Sequence, residues 1–139
     1  MAMNRLELRK LALLRVGDAE SLYANRRYPA AYYLTGYAVE CALKACIARN
    51  TRRGEFPDFT KVQRSYSHKL EHLVEVAGLT QELVIMTKSN ALFEANWALT
   101  STWKSESRYA FHTRTEARDL IVAVDDNQGG VLTWLKIHW

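Results

Sequence analysis

Apolar residues recur at steps of three and four along most of the chain, the period of amphipathic helices rather than of strands. Asn4 is placed to cap a first helix running to about Asn25, with Leu8, Ala12, Val16, Ala19 and Tyr23 on one apolar face and Arg5, Arg9 and Glu20 on the wet side. Arg26-Arg27-Tyr28 reads as the connection, and Pro29 suits the start of a second helix, about Pro29 to Arg49. That helix is apolar or small at almost every position, so it is expected to be the buried central helix. Alanines 31, 38, 42 and 45 with Gly36 would let a neighbouring helix approach closely, and Glu40 and Lys44, four apart in acid-first order, can pair.

The stretch from Thr51 to Ser65 reads as a loop, carrying Arg52, Arg53, Gly54, Pro57 and Asp58 with Phe56 and Phe59 as anchors. A short third helix is expected from Lys69 to Ala77, capped by Ser67, with Leu70, Leu73, Val74 and Ala77 inward and Gly78 ending it. Thr80 opens a fourth helix to about Trp103, with Leu83, Met86, Asn90, Phe93 and Trp97 along one stripe. Lys104 to His112 is irregular. Thr113-x-x-Glu116 is a capping box that opens a fifth helix with Ala117, Leu120, Ile121 and Val124 inward. The polar run from Asp125 to Gly130 breaks it, and Val131 to Trp139 closes the chain as a short helix packed through Leu132, Leu135 and Trp139. Residues 1–139 thus read as one all-α domain, an up-and-down antiparallel bundle of five or six helices.

Composition supports this and adds little. The two prolines and six glycines leave room for long helices. A net charge of +4 permits an anionic partner without demanding one. Cys41 and Cys46 are five apart in an apolar helix, so their side chains diverge and they read as buried thiols. Arg5, Glu7, Arg9 and Lys10 interrupt the N-terminal segment, which does not read as a signal peptide. With no apolar run near the ~18 residues of a membrane span, the expected location is the cytoplasm, away from membranes. The chain contains no P-loop, Gly-x-Gly-x-x-Gly, His-Glu-x-x-His or Gly-x-Ser-x-Gly motif. His68 and His72 have zinc-compatible spacing but no cysteine near them in sequence, and no metal or cofactor is expected.

Four segments carry a resemblance to a known family: Arg27-Tyr-Pro-Ala-Ala-Tyr-Tyr33, Tyr37-Ala-Val-Glu-Cys-Ala-Leu-Lys-Ala45, Ser67-His-Lys-Leu-Glu-His-Leu73 and Trp103-Lys-Ser-Glu-Ser-Arg-Tyr109. In this order and spacing, over about residues 25 to 125, the chain resembles the HEPN family of helical domains. The resemblance implies a helical bundle that dimerises, and either ribonuclease activity or an accessory role beside a nucleotidyltransferase. In active ribonucleases of the family, an Arg and a His separated by four to six residues form a composite site across the dimer. The Arg contacts phosphate and the His does acid–base work on the 2′-hydroxyl. The nearest match here, Arg108-Tyr-Ala-Phe-His112, has three residues between.

On a helix, Arg108 and His112 would share a face and could converge on one phosphate. The alternative is that Arg108 stacks on Trp103 or Tyr109 and His112 is a solvated loop residue. Arg26, Arg27, Tyr33, Tyr37, Glu40, Lys44 and Tyr109 are the candidate ligand-binding residues. The tyrosines could stack bases beside basic side chains, or pack a core or dimer interface. Glu40 and Lys44 could be a structural pair, or Lys44 could face a ligand phosphate. The favoured expectation is a non-catalytic domain that binds a nucleotide or RNA, forms a homodimer and serves a separate nucleotidyltransferase. The alternatives are a metal-independent, toxin-type endoribonuclease of a toxin–antitoxin pair using Arg108 and His112, and a purely structural dimerisation module.

Overall fold

The computed structural model describes residues 3–51 and 63–139, and among them there is no strand. Seven α-helices and one 3-10 helix are present among the described residues, more than the five or six read from periodicity. Helix α1 spans Arg5–Ala24 and α2 spans Tyr28–Asn50. A capping box starts α1: the Glu7 amide donates to Asn4 Oδ1 at 2.8 Å, and the Asn4 amide donates to the Glu7 carboxylate at 3.3 Å. The two helices form a hairpin whose turn puts Arg26 in the left-handed region, at φ 63°. The turn closes because the Arg27 amide reaches back to the Leu22 carbonyl at 2.8 Å.

The remaining helices are α3 (Leu70–Val76), α4 (Thr80–Ser89), α5 (Ala91–Thr100), the 3-10 helix (Ser105–Tyr109), α6 (Arg114–Asp125) and α7 (Val131–His138). Helix α2 packs against α1, α3, α6, α7 and the 3-10 helix, which makes it the central element its composition predicts. Val39, Leu43 and Cys46 meet Leu73, Leu120, Val124 and Leu135 in the core. Gly78, at φ 73°, ends α3 in a conformation that costs glycine little. The Thr113–Glu116 capping box opens α6 as the sequence predicts. No helix among the described residues is long and apolar enough to cross a membrane.

Four expectations need correction. The fourth helix is two helices, because Asn90 leaves helical geometry (φ −140°, ψ 102°) and its side chain accepts from the Phe93 amide at 3.0 Å. A short polar side chain that can cap a helix competes with the helix continuing through it. The third helix starts at Leu70, since Ser67 caps the Lys69 amide, at 3.1 Å, rather than a helical turn. Arg5 and Arg9 are not on a wet face: Arg5 Nε–H donates to the Trp139 carbonyl, and the Arg9 guanidinium lies 5.2 Å above the Trp139 ring. Trp139, just past the last helix, docks there, and long basic side chains cover apolar surface with their stems. Finally, residues 63–65 are helical within the expected loop. The rest of that loop, including Phe56 and Phe59 and the basic residues Arg52 and Arg53, lies outside the described residues.

What approaches Gly36 is a side chain rather than a helix backbone. Trp103 lies against α2 so closely that a Cβ at Gly36 would fall 2.2 Å from its ring. Trp103 is 2% exposed.

Candidate functional site

The end of the bundle where α1 finishes and α2 and α6 begin is basic and aromatic. Arg26 and Arg27 are exposed in the α1–α2 turn. Behind them the rings of Tyr23 and Tyr28 pack at 5.6 Å, and Arg114, in the first turn of α6, donates from Nε to the Tyr23 hydroxyl at 3.3 Å. A left-handed Arg26 costs about 1 kcal/mol relative to glycine, so the turn keeps an exposed arginine where glycine would be more stable.

The segment from Lys104 to Thr113 folds over the N-terminal half of α2. Arg108 sits in the 3-10 helix with its guanidinium 4.9 Å over the Tyr109 ring. The neighbouring Tyr109 and then Tyr33 push its pKa up from an already high value, so it keeps its charge. After Tyr109 the chain becomes extended, with Ala110 at φ −112°, ψ 156°. Arg108 and His112 therefore do not share a helix face. His112 is not a solvated loop residue either. Its ring stacks on Tyr32 at 3.7 Å with planes 13° apart, and its side chain is largely buried. Nδ1 faces the Glu116 carboxylate at 3.4 Å, and Nε2 is buried without a hydrogen-bond partner among the described residues. The Glu116 carboxylate is held below the usual carboxylate range by the Thr113 amide and hydroxyl of the capping box, and then by His112. Burial pushes the Tyr32 hydroxyl up.

Further along α2, Tyr33 and Tyr37 stack at 6.2 Å, and Tyr33 meets Trp103 at 5.7 Å. Both tyrosines are half-buried against the core, whereas Tyr109 is exposed. Glu40 is buried and has two partners, Lys44 Nζ at 3.3 Å and His68 Nδ1 at 3.0 Å. The sequence supplies Lys44 by helical spacing; His68, from the segment before α3, comes only with the tertiary fold. Lys44 is engaged by Glu40 rather than standing free for a phosphate. His68 is engaged as well, and no group of three or more His, Cys, Asp or Glu among the described residues is placed to hold a metal ion.

Above this pair, an open groove of about 790 Å³ runs between Ser67–Glu71 and Ser101–Glu106, floored by Leu70 and Trp103. Trp103 Nε1 is buried with no hydrogen-bond partner. Cys41 and Cys46 are free, and burial pushes their thiols up to about 11 and about 12, so neither is an activated nucleophile.

The fold thus brings Arg26, Arg27, Arg108 and Tyr109 to the basic end with Arg114, and leaves Glu40 and Lys44 as a separate centre further along α2. Tyr33 lies between the two and meets Trp103 at 5.7 Å. Arg114 and Phe111 are not among the residues that the sequence marks as candidates for a site. Arg114 lies inside the Thr113–Glu116 capping box, which signals a helix start rather than a site, and Phe111 has no periodic partner in an irregular stretch. Compared with protein-family models, curated proteins and solved structures, the chain matches none of them.

Proposed function

We propose that this domain is a HEPN-like helical module that binds RNA or a nucleotide and serves as the accessory partner of a separate nucleotidyltransferase, without itself cleaving RNA. The observation that carries the non-catalytic reading is the state of His112. General acid–base catalysis needs a ring nitrogen within hydrogen-bond reach of the substrate proton. One nitrogen of His112 faces Glu116, the other is buried, and one ring face is covered by Tyr32. Arg108, the nominal phosphate residue, is exposed and stays available for binding.

The binding reading is supported by four exposed arginines at one end of the bundle, Arg26, Arg27, Arg108 and Arg114, interleaved with tyrosines. Self-association is supported by leucines 6, 13 and 14, which α1 leaves exposed on its outer side. A two-fold homodimer follows, visible by light scattering at ~10 μM, where a moderately tight interface holds together.

Fluorescence anisotropy with a labelled RNA 12-mer tests the reading. Affinity falls as salt rises, because bound cations release counterions. Arg26→Gly weakens binding while leaving the fold as stable or up to about 1 kcal/mol more stable, since glycine accepts the left-handed turn. Incubation with total RNA in EDTA leaves the RNA intact. Cleavage that disappears in His112→Ala would overturn the proposal and make the protein a ribonuclease. A flat salt response would remove the nucleic-acid reading and leave a structural dimerisation module.

A further inference from the structure

Two aromatic rings between the end of the 3-10 helix and α6 are left largely in solvent. Tyr109 is 79% exposed and Phe111 is 96% exposed. The other aromatics around them are engaged: Trp103 on Gly36, Tyr32 on His112, Tyr33 on Tyr37. A solvated phenylalanine forgoes the stabilisation that burial gives a ring of its size. It also stands in a stretch rich in cations, with Lys104, Arg108 and Arg114 against Glu106 and Glu116. Of those two carboxylates, Glu116 is tied to Thr113 and His112.

We propose that Tyr109 and Phe111 form a clamp that stacks unpaired bases of a single-stranded nucleic acid, with Arg108 and Arg114 at its sides for the phosphates. This rests on the nucleic-acid reading above and goes further in naming the form of the ligand and the residues that grip it. Ala110 is extended, so the Cα atoms of Tyr109 and Phe111 stand about 6.6 Å apart, two rises of extended chain. That is close to twice the ~3.4 Å spacing of stacked bases. Side chains two apart on extended chain leave the same side of the backbone, so the two rings can close on one base between them. The Arg108 guanidinium lies over Tyr109 and extends the platform with a second planar, cationic surface.

The clamp is fixed at both ends. The Ala110 amide donates to the Ser107 carbonyl at 3.0 Å, and His112 is held by Tyr32 and Glu116. Little backbone freedom remains to be lost on binding. Stacking needs an open base face, which a duplex does not offer, so single strands are favoured. A second copy of the chain is a poorer occupant. A two-fold contact through this segment would bring Arg108 and Arg114 towards their own symmetry mates, and like charges facing each other oppose association.

The test uses the full chain and labelled 12-mers of RNA and of DNA, each single-stranded and as a duplex. Wild-type protein binds the single strands about tenfold or more tightly than the duplexes. Phe111→Ala weakens single-strand binding about tenfold, as loss of one stacked base does. It leaves the circular dichroism, the melting temperature and the slope of affinity against salt unchanged. Arg108→Gln instead lowers that slope by about one phosphate. Phe111→Trp retains binding, and Phe111→Leu loses it as alanine does, because a flat face rather than apolar bulk is required. RNA and DNA bound alike support the clamp, since both present base faces, and RNA preferred supports it with a 2′-hydroxyl contact added. Binding in which Phe111→Leu equals wild type overturns the clamp while leaving the nucleic-acid reading intact. So does Phe111→Ala converting a dimer to a monomer at unchanged RNA affinity, which would make Phe111 an interface between copies. No binding of any 12-mer at low salt overturns both.

Discussion

Trp103 and Phe111 are eight residues apart, one on each side of the 3-10 helix, and the fold treats them in opposite ways. Trp103 lies in a notch on α2 that exists because residue 36 has no Cβ, and it is closed in by Tyr33 and Leu70. Phe111 stands in solvent on an extended stretch, between an equally solvated Tyr109 and a His112 that is committed to Tyr32 and Glu116. The first region holds the bundle together and tolerates no change of volume. The second is a rigid strap whose side chains are free to meet a ligand. Two large aromatics of similar hydrophobicity thus do different work, and the difference lies in whether a complementary surface sits opposite.

The comparison breaks most visibly in stability. Trp103→Ala is expected to cost about 3–5 kcal/mol in denaturant unfolding, as a fully buried aromatic does, whereas Phe111→Ala stays within about 0.5 kcal/mol of wild type. Equal effects would mean that Phe111 packs in solution or that Trp103 does not. The notch itself is probed by two glycines. Gly36→Ala should destabilise by about 1–3 kcal/mol, because its methyl meets the Trp103 ring, while Gly17→Ala should stabilise by about 0.5–1 kcal/mol, since a Cβ there meets nothing within 4 Å. Similar signs at both positions would contradict the close Trp103 contact.

A smaller effect separates the Glu40 centre from the basic end. Lys44→Met removes one of the two partners of a buried carboxylate and should cost about 2 kcal/mol in stability. Single-strand RNA affinity should stay unchanged, because Lys44 serves Glu40. A loss of affinity at unchanged stability would move the ligand to this end of α2.

The smallest effect is a matter of pH. A hydrogen bond that protonated Glu20 donates to Asp125, then burial and the repulsion of that second carboxylate, holds Glu20 above its ordinary range. A carboxyl with a raised folded-state pKa stabilises the fold below its unfolded pKa, near 4.5, and loses that contribution as pH rises through the folded value. Glu20→Gln should therefore match wild type near pH 4 and be a few tenths of a kcal/mol more stable at pH 7, where the exposed pair is screened by solvent. A constant difference across that range would exclude the shared proton.

What the sequence determined by itself is what depends on neighbours within about five residues. Helical periodicity placed α1, α2, α6 and α7; Asn4 and the Thr113–Glu116 box marked the starts of α1 and α6 and Gly78 the end of α3; and the Glu40–Lys44 pair followed from one turn of helix. Local signals failed where two local solutions compete. The apolar stripe from Leu83 to Trp97 runs unbroken through Asn90, and only packing decides that Asn90 caps a new helix instead of continuing the old one. Tertiary structure alone decided the contacts between distant residues. It brings His68 to Glu40, Arg9 to Trp139, His112 to Tyr32 and Trp103 to Gly36. It also decides that Phe111 is left 96% exposed. These depend on how helices cross and where loops lie, and a shift of a few ångströms in either rewrites the list. Whether a histidine keeps a nitrogen free, or an aromatic keeps a face free, is a property of that arrangement and not of the residue or its spacing in the chain.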